Sequence, residues 1–271
     1  MVCDPLKNEK ENFMYFDSHA HYNDEKFNND REQILEEVYN SGVTKLINAG
    51  YSLESSKQAI KIAEKYEWMY TICGISPNDV PGSKAEFDEQ LNELEKLIPN
   101  KKVVAIGEIG LDYYWNKENK ELQKYAFIKQ IELANKYNLP IVIHTREAIE
   151  DTIKILKENR VENKGVFHCC PLNNYLITEG LKLGFLISFA GPVTFKNSKN
   201  AEEVIKMVPL EKILVETDSP YLSPEPNRGK RNDSRNVKYI VQKIAEVKEK
   251  SIEEVAKTTY QNAMKVFRIN N

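Results

Sequence analysis

The four histidines of this 271-residue chain all end short apolar runs. His19 and His21 follow Met-Tyr-Phe-Asp-Ser, His144 follows Ile-Val-Ile, and His168 follows Val-Phe. Because successive side chains of an extended chain alternate in direction, the rings of His19 and His21 point to the same side, as a shared metal requires. Such a pair alone fits two polar loop residues equally well. The other two histidines, in equivalent positions, favour a metal site.

Two carboxylates occupy similar places in the sequence. Glu108 follows Val-Val-Ala-Ile-Gly, and Asp218 follows Ile-Leu-Val-Glu-Thr. A carboxylate can bridge two cations whereas a neutral imidazole cannot, and Gly107 and Gly110 beside Glu108 permit close approach. A carboxylate beside a metal can also accept the proton of an attacking water, a role that suits Asp218. We therefore predict catalytic roles for Glu108 and Asp218 in addition to metal binding.

The predicted ligand set indicates hydrolysis by two divalent cations. Two cations about 3.5–4 Å apart activate a water and stabilise the oxygens of an in-line displacement, without a covalent enzyme intermediate. Imidazole and carboxylate ligands together suit Zn, Mn, Co or Ni, and weakly bound Mg, so the ligands leave the identity of the metal open. The pattern predicts a metal-dependent hydrolase.

Short apolar runs recur along the chain with helical patterns between them. The predicted strands lie at 14–16, 43–47, 68–73, 103–106, 141–143, 166–167, 185–189 and 213–215. Nearly continuous Val, Ile, Leu and Phe are typical of parallel strands covered on both faces. This alternation predicts an α/β fold, a TIM-like (β/α)8 barrel whose carboxyl-end rim collects the ligands, with the eighth strand beside the first. A doubly wound open sheet alternates similarly, but its Gly-rich phosphate turn is absent after Phe16.

Composition agrees with one globular domain. Hydrophobic residues make up 41% and charged residues 29% of the chain, and no apolar run approaches the roughly 20 residues of a membrane span. We expect a polar leader at 1–13 and a single hydrolase domain at 14–271. Without a secretory h-region, a cytoplasmic location is expected, with free cysteines. We expect a monomer by default, with no membrane association and no obligate protein partner.

A basic segment follows the eighth predicted strand. It contains Arg228, Lys230, Arg231 and Arg235 around a glycine, close in sequence to Asp218. By composition alone the segment is a solvated loop, whereas its position on the metal rim favours a phosphate-binding site. The formal net charge of −3 does not itself indicate a nucleic-acid partner, so phosphate recognition must be local.

Two further groups are candidates for substrate contacts. Arg146, two residues after His144, is placed to clamp a phosphate. Tyr113, Tyr114 and Trp115 follow Glu108 and could stack on the bases of a single strand, although aromatic loops also pack on barrel rims for structural reasons.

Taken together, the motifs resemble those of the TatD family of metal-dependent deoxyribonucleases. The similarity runs in order from about Tyr15 to the C-terminal helix. The motifs are Asp-Ser-His-Ala-His-Tyr at 17–22, Gly-Glu-Ile-Gly-Leu-Asp-Tyr-Tyr at 107–114, Ile-His-Thr-Arg-Glu-Ala at 143–148, Phe-His-Cys at 167–169, Glu-Thr-Asp-Ser-Pro-Tyr-Leu at 216–222 and Arg-Gly-Lys-Arg-Asn at 228–232.

This resemblance implies an amidohydrolase-like barrel with two metals and 3′–5′ exonuclease action on DNA, on single strands or 3′ ends, usually with Mg. The implied ligands are His19, His21, Glu108 and Asp218 for one metal, and Glu108, His144 and His168 for the second.

The chain also departs from the family pattern. Ser76 and Asn78 replace two histidines that the family commonly has, and Asp233 and Ser234 replace a usual Glu-Pro. None of these positions is a predicted ligand.

Two other functions remain open from the sequence. An amidohydrolase-type esterase or amidase, including one that deacylates aminoacyl-tRNA, would use the same ligands to activate water. Many binuclear amidohydrolases bridge their metals with a carboxylated lysine on the fourth strand, where this chain has Glu108, and the basic segment favours phosphate. A non-catalytic metal-bound binding module would retain metal without turning over a phosphodiester.

Overall fold

The sheet contains eight parallel strands that pair in chain order within residues 13–270, the part of the chain that the computed structural model describes. Their buried Val, Ile, Leu and Phe explain why each forms an extended segment covered on both faces. The strands are β1 (Tyr15–Ala20), β2 (Val43–Ala49), β3 (Met69–Cys73), β4 (Val103–Asp112), β5 (Ile141–Arg146), β6 (Gly165–Phe167), β7 (Leu186–Phe189) and β8 (Ile213–Val215).

A helix follows each strand, and a further helix ends the described chain. Ser83 and Ser251 cap their helices by accepting hydrogen bonds from the backbone N–H groups of Glu86 and Glu254. The helices are α1 (Arg31–Asn40), α2 (Leu53–Ala63), α3 (Lys84–Glu95), α4 (Lys120–Lys136), α5 (Ile149–Glu158), α6 (Asn174–Lys182), α7 (Ala201–Met207), α8 (Val237–Lys248) and α9 (Ile252–Val266).

The first and last strands meet just beyond the end of β8. The Asp218 N–H donates to the His19 carbonyl at 2.9 Å, and the His21 N–H donates to the Ser219 carbonyl at 2.6 Å. The Asp17 carboxylate adds a bond from the Thr217 N–H at 2.9 Å. The eight strands thus form a nearly closed (β/α)8 barrel, which confirms the predicted fold and excludes the open sheet.

The barrel interior is packed with apolar side chains. Phe16, Val104, Val142 and Leu214 belong to one buried cluster, although they come from strands that are not all neighbours. Such residues can meet only inside the barrel. Phe267, which follows α9, stacks on Phe16 with ring centroids 6.2 Å apart and belongs to the same cluster.

Three predicted ligands lie within strands rather than at their ends. β4 continues to Asp112, so the prediction that Glu108 ends the fourth strand is wrong; His19 and His144 likewise lie inside β1 and β5. Each apolar run ends where the barrel interior becomes polar, but the backbone remains extended beyond that point. The structure places His168 directly after β6 and Asp218 three residues after β8.

The predicted leader at 1–13 lies outside the described residues except for Phe13, whose ring packs edge-on against Tyr15. The described cysteines, Cys73, Cys169 and Cys170, are free thiols, while Cys3 lies outside this range. Among residues 13–270, no helix has both the length and the apolar character needed to cross a membrane.

Candidate metal centre

His19, His21, Glu108 and Asp218 form one set of potential ligands. The Nε2 atoms of His19 and His21 are 3.2 Å apart, and Asp218 Oδ1 lies 3.3 Å from His21 Nε2. Glu108 Oε2 is 3.6 Å from His19 Nε2 and 4.0 Å from His21 Nε2. Ligands about 2.1 Å from one cation at tetrahedral angles are about 3.4 Å apart. The donor atoms of His19, His21 and Asp218 all lie within 4.8 Å of one another, a spacing that fits a single divalent cation, and Glu108 Oε2 lies beside the two imidazoles.

Glu108, His144 and His168 form a second set. Glu108 Oε1 is 3.0 Å from His144 Nδ1 and 3.2 Å from His168 Nε2, and the two ring nitrogens are 3.3 Å apart. Three nitrogen and oxygen donors at this spacing could hold a second cation while leaving positions open for water or substrate. The two sets share Glu108 and use a different oxygen of its carboxylate.

The surrounding imidazoles keep Glu108 ionised. Burial alone would raise the pKa of its carboxyl, but the charge of His168 and hydrogen bonds from the facing imidazoles hold that pKa well below its ordinary value. Burial would likewise lower the pKa of His168, but Glu108 and Glu216 raise it well above its usual range. The centre is therefore an array of coupled charges in which bound cations would replace protons.

Two histidines are oriented by bonds on the far side of their rings. His21 Nδ1 lies 3.1 Å from the Ala49 carbonyl, and His144 Nε2 lies 3.0 Å from Asp112 Oδ2. Contacts of this kind fix which ring nitrogen faces the cation. Despite the opposing effect of burial, hydrogen bonds that Asp112 accepts from His144 and from the Trp115 backbone lower the pKa of its carboxyl to about 2.

Sequence reasoning missed three buried carboxylates at the centre: Asp17, Asp112 and Glu216. Glu216 Oε1 lies 3.4 Å from His168 Nδ1, and together with His19 and His168 it forms a third group with ligand-like spacing. Burial raises the pKa of Asp17 to about 7, although the Thr217 hydroxyl donates to it at 2.5 Å. Asp17 and Glu216 could have been found from the sequence, because each is an acidic residue directly after an apolar run.

The backbone around the centre leaves little free space. Asp218 adopts the left-handed conformation with φ 56°, which aspartate tolerates better than most residues. At Gly110, φ is +138° and a Cβ atom would lie 2.0 Å from the His144 carbonyl oxygen. Only glycine allows β4 and β5 to approach this closely beside the ligands.

The aromatic residues after β4 differ in exposure. Tyr113 is only 7% exposed and its hydroxyl donates to Asp151 at 2.7 Å, so its ring offers little free surface to a base. Tyr114 and Trp115 are 42% and 68% exposed. The guanidinium of Arg146 lies 3.9 Å from the ring centroid of Tyr114.

The basic segment lies beside the Asp218 loop. Asn232 anchors it by donating to the carbonyls of Thr217 and Tyr221 at 2.9 and 2.7 Å. The cationic side chains that were predicted to bind phosphate differ in how free they are to do so. Arg231 is engaged in a two-pronged ion pair with Asp30, whereas Arg228 packs over Phe195 and donates to Asn197, and the Lys230 side chain is exposed.

Two of the four positions that depart from the family pattern, Ser76 and Asn78, also lie near the centre. The Ser76 hydroxyl donates to Asp79 at 2.6 Å, and the Asn78 amide donates to Asp112 Oδ2 at 3.3 Å. Asn78 thus contacts the carboxylate that orients His144.

A family model described as "TatD related DNase" matches residues 16–268. The metal-dependent hydrolase YabD of Bacillus subtilis is 43% identical over 258 residues, covering 95% of this chain and all of that protein. The metal-dependent hydrolase TatD of Mycobacterium tuberculosis is 31% identical, with 86% of this chain and 89% of that protein covered. The crystal structure of YjjV, a TatD homolog from Escherichia coli, superposes with a TM-score of 0.88 at 26% identity, covering 94% and 98% of the two chains.

Proposed function

Because this chain belongs to the TatD family of metal-dependent hydrolases, we propose that it is a 3′–5′ DNA exonuclease that hydrolyses phosphodiester bonds with two divalent cations. The proposed ligands are the six residues of the two sets, and Mg²⁺ is the proposed cation for activity. The proposed enzyme acts as a monomer through a single domain at 14–271.

The observation that carries this proposal is the position of Glu108. Its Oε2 faces His19 and His21, while its Oε1 faces His144 and His168. A carboxylate shared in this way is the arrangement expected of a bridging ligand. A single structural metal would need only one oxygen of this carboxylate, so the shared position of Glu108 supports a binuclear mechanism.

The side chains have distinct parts in the proposed reaction. Divalent cations, when bound, supply Lewis-acid stabilisation of the phosphoryl oxygens and activation of water. Glu108 remains ionised and holds the two donor sets at a fixed separation. Asp218, whose side chain is 15% exposed at the mouth of the site, accepts the proton of the attacking water.

Cations on the rim favour a phosphodiester substrate over an amide or ester. The exposed Lys230 and Arg228 lie on the segment anchored to the Asp218 loop, and Arg146 lies on the same strand as His144. Phosphate oxygens are bound well by such groups, whereas a neutral carbonyl substrate has no need of them. The description of the matched family as a DNase points to the same substrate.

The test is release of mononucleotides from single-stranded DNA labelled at its 5′ end, with Mg²⁺ or Mn²⁺. We expect stepwise shortening from the 3′ end by the wild-type protein and none by Glu108→Ala. Glu36→Ala, which removes an exposed carboxylate on α1, serves as the matched control and should retain activity.

Three outcomes would contradict the proposal in different ways. Retained activity in Glu108→Ala would refute the shared-ligand assignment. Hydrolysis of ester or amide substrates without DNA cleavage would make the chain an amidohydrolase. Tight retention of metal without turnover of any of these substrates would indicate a binding module.

A further inference from the structure

An exposed aromatic group lies beside the metal centre. Tyr114 and Trp115 meet edge-on with ring centroids 4.8 Å apart, and the Arg146 guanidinium covers Tyr114 at 3.9 Å and approaches Trp115 at 5.5 Å. We propose that this trio, the aromatic platform, binds an unpaired nucleobase flanking the scissile phosphodiester and thereby selects single-stranded or frayed 3′ ends. This inference rests on the proposed function.

The platform is linked to the metal centre through β5. Arg146 is two residues beyond His144 on that strand, so both side chains lie on the same side, about 6.6 Å apart along the chain. In the register between strands, Gly110 pairs with His144 and Asp112 with Arg146. A nucleotide whose phosphate lies at the ligands therefore has its base within reach of the platform.

Asp112 connects the two sites directly. Its Oδ1 accepts hydrogen bonds from the backbone N–H groups of Tyr114 and Trp115 at 2.9 and 3.0 Å. Its Oδ2 faces His144 Nε2 at 3.0 Å. One buried carboxylate thus fixes both a predicted ligand and the turn that carries the aromatic rings, so the platform has a defined position relative to the metal centre.

The exposure of the rings favours a base over internal packing as their partner. Tyr113 in the same turn is buried, whereas Trp115 is 68% exposed, the highest value among the large hydrophobic side chains of the described residues. Aromatic rings and guanidinium groups stack on any base, but only where the base is unpaired and splayed from its neighbours. A base pair at a blunt duplex end would have to open before it reached the platform.

The test compares three substrates under single-turnover conditions. They are single-stranded DNA with ordinary 3′ nucleotides, the same strand with abasic residues at its last two positions, and a strand of abasic residues throughout, a phosphodiester with no base and no other aromatic group. For Trp115→Ala and Tyr114→Ala we expect kcat/KM on ordinary DNA to fall by at least about fivefold. Both variants should hydrolyse the base-free phosphodiester at the wild-type rate and lose the preference for ordinary over abasic DNA.

The matched control is Tyr39→Ala, which removes an aromatic ring of similar exposure (47%) at the C-terminus of α1. It should leave all three rates unchanged. If the platform variants cleave ordinary DNA as fast as wild type, the platform inference is overturned while the proposed function stands. If the wild-type protein hydrolyses neither DNA nor the base-free phosphodiester, the proposed function fails instead.

A binding experiment tests the platform even if the wild-type protein hydrolyses none of these substrates. The chain has two tryptophans, so Trp68→Phe leaves Trp115 as the sole tryptophan reporter. Saturable quenching of its fluorescence by single-stranded DNA, with much weaker quenching by blunt duplex of the same length, would support the platform. Absence of quenching, or equal quenching by both, would refute it.

Discussion

Glu108 divides its two carboxylate oxygens between the two donor sets, so a change of one atom at this residue should remove a donor from at least one of them. In Glu108→Gln, an N–H₂ group replaces one oxygen and has no lone pair to offer a metal. We expect bound metal to fall by at least one ion per chain and phosphodiesterase activity to fall by more than about 100-fold. Mutation of residues that only orient a metal ligand already lowers metal affinity or activity by about 10–100-fold, and loss of a ligand itself should cost more. Elemental analysis and initial rates measure both effects.

The matched control for this variant is Glu36→Gln, at an exposed position on α1. It should keep the wild-type metal content and rate. A Glu108→Gln protein that bound two ions per chain at wild-type affinity would rule out the shared-ligand arrangement.

Asp112 contacts His144 rather than the proposed cations, so its substitution should affect metal binding differently from that of Glu108. Asp112→Asn removes the charge that faces His144 Nε2 but keeps an oxygen for the turn at 114–115. Loss of an outer carboxylate weakens metal affinity by about 10–100-fold. We expect a drop in this range for one cation only, measured by calorimetric titration, with the other unaffected. Asp88→Asn, at a surface contact with Tyr125, should change neither.

Simultaneous loss of both cations in Asp112→Asn would show that the two sets do not act separately. A fully unchanged titration would instead show that Asp112 has only a structural part in holding the turn.

At the scale of the elements, the close contact of β4 and β5 determines where His144 lies. Gly110→Ala would place a Cβ atom 2.0 Å from the His144 carbonyl, in a backbone conformation that disfavours side chains. We expect a loss of at least about 2 kcal/mol in the free energy of unfolding, and weaker metal binding because β5 must shift. Urea denaturation and metal titration measure the two effects.

Gly82 provides the control for this change, because a Cβ there would meet nothing within 4 Å. Gly82→Ala should alter stability by no more than about 0.5 kcal/mol. If Gly110→Ala were as mild as Gly82→Ala, the close strand contact would not be a constraint on the centre.

The strands illustrate what the sequence could and could not predict. Apolar runs located all eight strands, because burial on both faces leaves a strong hydrophobic signal. They gave the C-terminal end of β4 wrongly, since the residues from Gly107 to Asp112 remain extended while the pattern becomes polar and glycine-rich. Hydrogen bonding to a neighbouring strand continues that segment, and a neighbour distant in sequence leaves no local signal.

For the whole molecule, the predicted ligands were identifiable because histidine is rare in this chain and falls at repeated positions. The supporting acids were not, since Asp17, Asp112 and Glu216 are three among 41 acidic residues. Their burial and their bonds to Thr217, His144 and the backbone of Cys169 arise only when the barrel closes. Sequence spacing therefore located the residues of the two donor sets better than the acids that surround them.

Barrel closure also couples metal binding to the stability of the fold. The six proposed ligands come from five separate strands and the segments that follow them, and the first and last are joined by the Asp218 and His19 backbones. A cation that binds this assembled set and not the unfolded chain stabilises the fold by about 2.7 kcal/mol at 100 times its Kd. For a chain of this size we expect removal of metal by a chelator to lower Tm by about 5–10 °C.

The comparison of wild type with Glu108→Gln makes this prediction specific to the centre. Differential scanning calorimetry with and without chelator should show the full shift for wild type and a smaller one for the variant, because the variant has lost a ligand shared by both sets. Readdition of Mn²⁺ should restore the wild-type Tm in proportion to the logarithm of its free concentration. An equal shift in both proteins would place the stabilising cation elsewhere on the molecule, and no shift in wild type would show that the barrel closes without help from its ligands.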